Sequence, residues 1–134
     1  MPPDDVQKPR ILVVDDEPAI RRMVGKRLEV AGYEVIFASD GLEALNEARS
    51  QEPNLILLDL MLPKLNGYEV CRMLKFDKKY KTIPIVLLTA RAAVSDELMG
   101  KACGANAFLR KPFDSKIMLS RIEELLKSSQ TQSQ

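Results

Sequence analysis

The side chains able to do chemistry in this chain recur at one kind of place, directly after short apolar runs. Asp15, Asp16 and Glu17 follow Ile11-Leu12-Val13-Val14, and Asp59 follows Leu55-Ile56-Leu57-Leu58. Thr89 follows Ile85-Val86-Leu87-Leu88, and Lys111 comes after Ala107-Phe108-Leu109 and Arg110. Clustered carboxylates repel, and burying them without a partner is costly. A cation such as Lys111 offsets that cost, and so does a divalent metal. A ligand set made only of oxygens suits Mg2+ rather than zinc. An aspartate carboxylate can also attack phosphorus to give an acyl phosphate. Phosphoryl transfer asks mainly for charge neutralisation around the equatorial oxygens. Mg2+ on the acidic pair, the Lys111 ammonium and the Thr89 hydroxyl would each serve one of those oxygens. Asp59, alone after its run, is the natural nucleophile. Asp15 and Asp16 have a plainer use as well, because acids suit the first turn of a helix. Capping does not account for acids, a hydroxyl and a lysine ending different runs.

Composition narrows the chemistry further. The chain has no histidine, which excludes Ser-His-Asp and Cys-His catalysis and every zinc site built with histidine. Cys71 and Cys103 cannot make an all-cysteine zinc site or a disulfide framework, and they lack Cys-x-x-Cys spacing. They read as buried free thiols of a reducing compartment. The balance of 20 basic against 19 acidic residues, net charge +1, argues against a broad surface for nucleic acid. No apolar run reaches the ~18 residues of a membrane span, and the N-terminus has no signal-peptide core. The expected location is the cytoplasm, with no membrane contact.

The elements that must position these residues follow from the apolar pattern. At 134 residues the chain has the length of one domain. Runs as apolar as Ile11–Val14, Leu55–Leu58 and Ile85–Leu88 need cover on both faces, which implies parallel strands between helices. Glu34–Ala38 and Ala107–Leu109 read as two further strands. Pro18 suits the first turn of a helix that carries Ile20, Val24, Leu28 and Ala31 and ends at Gly32. Asp40 is an N-cap for a helix with Leu42, Leu45 and Ala48 inward. A third helix runs from Gly67 to about Phe76, showing Val70 and Leu74. Val94, Leu98 and Ala102 mark a fourth, and Ile117–Leu126 a closing one. The reading is a doubly wound α/β domain of five βα units in three layers. In such a sheet function sits beyond the carboxyl ends of the strands, where the residues above fall.

The segments ILVVDDEP, LILLDLMLPKLNGYEV, IPIVLLTARA and GANAFLRKPF, in that order, resemble the receiver domain of two-component response regulators. The resemblance covers residues 10–127 and leaves 1–9 and 128–134 as expected flexible tails. It implies a flavodoxin-like (βα)5 fold with a five-stranded parallel sheet in the order 2-1-3-4-5. It further implies that Asp59 is the phosphoacceptor and that Mg2+ is held by Asp15, Asp16, Asp59 and the main-chain carbonyl of Met61, with Asp16 the direct ligand and Asp15 acting mostly through water. Thr89 matches the switch hydroxyl, Phe108 the switch aromatic and Lys111 the phosphate-binding lysine. The Lys111-Pro112 bond matches one that is usually cis in the family. Ala90 matches the small residue needed for donor access, and Met61 and Arg91 flank the acceptor.

By the same resemblance, a sensor histidine kinase supplies the phosphoryl group. The fourth helix, fifth strand and last helix then present a changed surface to a downstream target or output domain. The chain is expected to be a signalling switch that catalyses only its own phosphorylation and dephosphorylation, as a monomer or a phosphorylation-dependent homodimer. Winged-helix regulators of this family dimerise through charged residues on that face. Here two of those positions are Asn106 and Ala107, a glutamate position is Ile117, and Arg121 is retained, so that lattice is incomplete. Nothing in the segment points to direct nucleic-acid binding, and a phosphatase of the haloacid-dehalogenase type would need an acid where Met61 stands.

Overall fold

A computed structural model describes residues 8–89, 103–112 and 114–132. Its strands are β1 (Arg10–Val14), β2 (Glu34–Ala38), β3 (Leu55–Asp59), β4 (Ile85–Thr89) and β5 (Ala107–Arg110). The helices are α1 (Pro18–Val30), α2 (Gly41–Gln51), α3 (Gly67–Lys75) and α4 (Ser115–Gln132). The helix expected over Val94, Leu98 and Ala102 lies outside the described residues, as do Ala90 and Arg91. The strands form one parallel sheet in the order β2-β1-β3-β4-β5, as the resemblance implied.

The continuous apolar runs are explained by which face each residue meets. Successive strand residues point to opposite faces. Leu12, Val14, Ile56, Leu58, Ile85 and Leu87 face one layer, built from Ala44, Leu45 and Ala48 of α2 and Val70, Cys71 and Leu74 of α3. Ile11, Val13, Leu55, Leu57, Val86 and Leu88 face the other, built from Val24 and Leu28 of α1 and Met118, Ile122 and Leu126 of α4. A central strand that is apolar up to its last residue is therefore buried on both sides, and all five residues of β3 and of β4 are buried, Asp59 and Thr89 included.

Local chemistry sets the helix starts. Pro18 sits in the first turn of α1. The Asp40 carboxylate accepts from the Glu43 amide at 2.8 Å and so caps α2. Asn66 and Glu69 make a reciprocal capping box at α3, with both bonds at 3.0 Å. The closing helix differs from expectation. It continues through Gln132, where the sequence reads a polar tail from Ser128. Once a helix is nucleated against a packed face, each added residue needs only its own hydrogen bond, so polar composition alone does not stop it.

The loop from β3 to α3 is held on several sides. The Leu60 amide donates to the Leu88 carbonyl at 3.0 Å, and the Gly67 amide returns to the Leu60 carbonyl at 3.0 Å. The Gly41 amide of α2 reaches the Pro63 carbonyl at 3.3 Å, and Lys64 pairs with Asp40 at 3.4 Å. Gly67 has no room for a side chain: a Cβ there would sit 2.5 Å from the Asp59 carbonyl oxygen and 2.8 Å from the Leu60 Cα. Alanine is the better helix former by up to ~1 kcal/mol. The clash is with backbone, so it outweighs that gain. Gly67→Ala is expected to destabilise the fold by about 1–3 kcal/mol, read as a lower urea midpoint at unchanged slope. A midpoint equal to or above wild type would show that the loop gives way freely.

Candidate functional site

The strand register places the two acids that matter most. Val14 of β1 pairs with Leu58 of β3, so the next row brings Asp15 beside Asp59. Asp59 in turn pairs with Leu88, and Thr89 ends β4 one row further on. Thr89 pairs with Arg110, and Lys111 follows at once. All four residues therefore lie at the carboxyl edge of three central strands and β5.

Burial makes this cluster unusual. Asp15 is 0% exposed, Asp59 5% and Thr89 3%, and they are the buried polar side chains among the described residues. Lys111 supplies the compensating charge. Its Nζ donates to Asp15 Oδ2 at 2.7 Å and lies 3.5 Å from Asp59 Oδ2. One ammonium is thus shared by two carboxylates, tightly with the first and loosely with the second. The Lys111-Pro112 peptide is cis. Burial pulls the Lys111 ammonium down, but its hydrogen bond to Asp15 and the charges of both acids outweigh it, so its value lies above the ordinary lysine range.

The remaining contacts settle what Asp15 and Asp16 do at the helix start. The N-cap of α1 is Glu17, whose side chain makes no capping bond. Asp15 Oδ1 accepts from the Glu17 amide at 3.0 Å. Both Asp15 oxygens are therefore engaged, one by that turn and one by Lys111. Asp16 is exposed beside it. The ligand atoms of Asp15, Asp16 and Glu17 lie within 4.8 Å of one another. Asp59 does not join that group and faces Asp15 across the lysine. The Met61 amide donates to Asp59 Oδ1 at 3.2 Å, which folds the chain after β3 back over that carboxylate. Phe108 is half-buried on the opposite layer, against the α2–α3 core.

Arg21 is a contributor that sequence reasoning missed. Its Nη1 donates to the Asp15 main-chain carbonyl at 2.6 Å and so holds the strand end from the side of α1. An arginine one turn into an amphipathic helix reads as solvated surface. Its only signal is its place one turn after the acidic run.

Residues 11–123 match the response regulator receiver domain family. The chain belongs to that family. It is 47% identical over 122 residues to a probable transcriptional regulator ycf27 of Porphyridium aerugineum, covering 91% of this chain and 50% of that protein. It is 45% identical over 119 residues to the DNA-binding dual master transcriptional regulator RpaA of Synechocystis, covering 89% of this chain and 49% of that protein. A putative response regulator from Chloroflexus aurantiacus superposes with a TM-score of 0.86 at 34% identity, over 90% of this chain and 99% of the other. The receiver domain thus spans about half the length of the curated relatives it matches.

The electrostatics of the receiver domain's acidic edge give a test that needs no ligand. The Asp59 carboxyl is held above the ordinary carboxylate range by burial first, and then by the charge of Asp15. Lys111 and the Met61 amide pull the other way without cancelling it. An acid with a raised value binds its proton more tightly folded than unfolded. Below the ordinary aspartate value both states are protonated and nothing is lost. Above the raised value the folded state carries a penalised anion, so stability falls as pH climbs through that window. Asp59→Asn removes the anion and leaves Lys111 its bond to Asp15. The variant is expected to melt above wild type at neutral pH, with the gap closing as pH falls through the carboxylate range. A variant that melts below wild type at neutral pH would mean that Asp59 is net stabilising as the anion.

Proposed function

We propose that this receiver domain takes a phosphoryl group onto Asp59 from the phosphohistidine of a sensor kinase, in a Mg2+-dependent reaction in the cytoplasm. The observation that carries the reading is the single ammonium of Lys111 between two carboxylates of unequal commitment. Asp15 is engaged on both oxygens, whereas Asp59 is held at 3.5 Å and by one amide. Asp59 is thus the carboxylate with an oxygen to give. Its oxygen attacks phosphorus as the P–N bond of the donor breaks, and the electron pair leaves on the imidazole. Lys111 is within reach of the new phosphoryl oxygens, and the Thr89 hydroxyl approaches from the next strand.

The donor set fits a hard cation: carboxylates, a main-chain carbonyl, and no histidine or thiolate. Asp16 would hold it directly, since it is exposed and makes no hydrogen bond or ion pair among the described residues. Asp15, with both oxygens in use, would act mostly through water, and the Met61 carbonyl and Asp59 complete the set. When bound there, Mg2+ neutralises one oxygen of the phosphoryl group.

Phosphorylation then biases the surface formed by the helix expected from the sequence after β4, by β5 and by α4. Thr89 moves toward the phosphoryl group and Phe108 turns inward, so the chain acts as a switch whose own catalysis is limited to gaining and losing phosphate. The partner is a downstream target or output domain. The named relatives are transcriptional regulators twice this length, which favours a transcriptional output carried by a further domain and not by direct nucleic-acid contact of this segment. Asn106 weakens the charged dimer face for a structural reason. It is tied to the Ile85 backbone by two bonds of 2.9 Å, one from its amide and one to its side-chain oxygen.

Incubation with acetyl phosphate and Mg2+ is expected to add one phosphoryl group to the intact mass, with no gain without Mg2+ or in Asp59→Asn. If neither acetyl phosphate nor a panel of phosphorylated histidine kinases labels the protein, the chain is a binding scaffold and this reading falls. Asp16→Ala is expected to weaken Mg2+ binding by more than about tenfold, since loss even of outer-shell partners costs that much. An unchanged calorimetric titration would place the cation elsewhere.

A further inference from the structure

Away from the acidic edge, the two cysteines meet. Cys71 lies on the inner face of α3 at 0% exposure, and Cys103 lies in the turn that leads into β5 at 4%. They are 32 residues apart, yet the Cys71 thiol donates to the Cys103 carbonyl oxygen at 3.5 Å, and the two thiols perturb each other. Both are free. Spacing along the chain gave no sign of this, because it depends on how α3 docks beneath the entry to β5.

The surroundings favour a thiolate on one of the two sulfurs. The neighbouring Cys71 thiol holds the Cys103 thiol below the ordinary thiol range against the opposing effect of burial, and the Ala105 amide and the Lys75 ammonium act in the lowering direction. The Cys103 neighbour, with burial, holds the Cys71 thiol above it. Lys75 is fixed in place: its Nζ donates to the Ile83 carbonyl at 2.7 Å and the Lys81 carbonyl at 3.1 Å. Its stem packs on Gly104, which takes φ +89° in the turn after Cys103 and has Lys75 Cβ only 3.2 Å from where its own Cβ would be. Gly104 itself is exposed, so Cys103 stands one residue from solvent. An acidified thiol beside a protonated one is the arrangement in which one sulfur attacks and the other resolves.

We infer that Cys71 and Cys103 form a redox-active dithiol that closes to an intramolecular disulfide with a hydroperoxide as oxidant. The Cys103 thiolate attacks a peroxide oxygen and the O–O bond breaks. This gives a sulfenic acid and releases hydroxide, or an alcohol from an organic peroxide. The Cys71 sulfur then attacks the sulfenic sulfur, the S–O bond breaks, and its proton leaves with the hydroxyl as water. Two thiols and one peroxide thus become a disulfide and two molecules of water, or one of water and one of alcohol from an organic peroxide, with two electrons passing from sulfur to oxygen. A dithiol reductant reverses the change. The disulfide ties α3 to the entry of β5, the strand that carries Phe108 and leads to Lys111.

The test uses the whole reduced protein, treated with hydrogen peroxide, unfolded in guanidinium with iodoacetamide, and weighed intact. Wild type is expected to lose both alkylatable thiols, to weigh two hydrogens less than the reduced chain, and to yield a peptide pair joined at Cys71 and Cys103. Dithiothreitol should restore both thiols. In Cys71→Ala, Cys103 should add oxygen without any cross-link. Two alkylatable thiols surviving in the folded wild type would overturn the inference, as would oxygen uptake without a cross-linked peptide. Asp59→Asn should oxidise as wild type does, so the result stands apart from the phosphorylation reading.

Discussion

Lys111 decides how the acidic edge can exist. Two carboxylates on adjacent strand ends, both almost fully buried, repel each other in a medium that screens poorly. Capping a helix with an acid is worth about 1 kcal/mol, whereas stripping a buried charge of its partner costs about 3–5 kcal/mol. Asp15 is therefore governed by the lysine and not by the start of α1. That single pairing imposes the topology. The ammonium must come from a chain segment that reaches the same edge as β1 and β3, and the end of parallel β5 supplies it. Since β5 lies two strands away from β3, the Lys111 side chain has to reach across the end of β4, over the row that Thr89 closes.

The strands were legible because their composition has one cause. A run such as Leu55–Leu58 is apolar throughout only when helices cover both faces, and the structure assigns alternate residues to two separate cores. Asp59 was legible for the same reason. It is the first position of its strand where a polar group has an edge to look over, and register with Val14–Leu58 puts its neighbour Asp15 alongside. The pairing of Lys111 was legible as a charge balance, and the structure shows it to be uneven, 2.7 Å against 3.5 Å. That inequality carries the chemical distinction between the two acids, and no residue type encodes it.

What the sequence hid is tertiary. Arg21 serves the Asp15 carbonyl only because α1 folds back along β1. Lys64 has φ +71° and pairs with Asp40 only because the loop after β3 meets the start of α2. The two thiols meet only because α3 lies beneath the turn at Gly104. The run of α4 through Gln132 was hidden for another reason, since helix propagation is a cooperative property that residue identity weakly reports. In each case the residue has an ordinary local use, and its particular use comes from a contact distant in sequence.

β5 is where the halves of the molecule join. Its Leu109 packs in the α1–α4 core, while its neighbour Phe108 packs against the α2–α3 core. Lys111 follows directly and holds the acids, and Cys103 precedes it in the turn that touches α3. Adjacent residues of a strand point to opposite faces and are joined by planar peptides with little slack. A pull on Lys111 toward Asp59 is therefore a pull on the backbone that seats Phe108 in the other layer. Among the described residues β5 is also an edge strand, paired with β4 alone and four residues long, so it can shift with few ladder bonds disturbed. A short edge strand linking a charged site to a second core is what a two-state response would need. The same shortness explains why a covalent tie at its entry would matter more here than at any buried central strand.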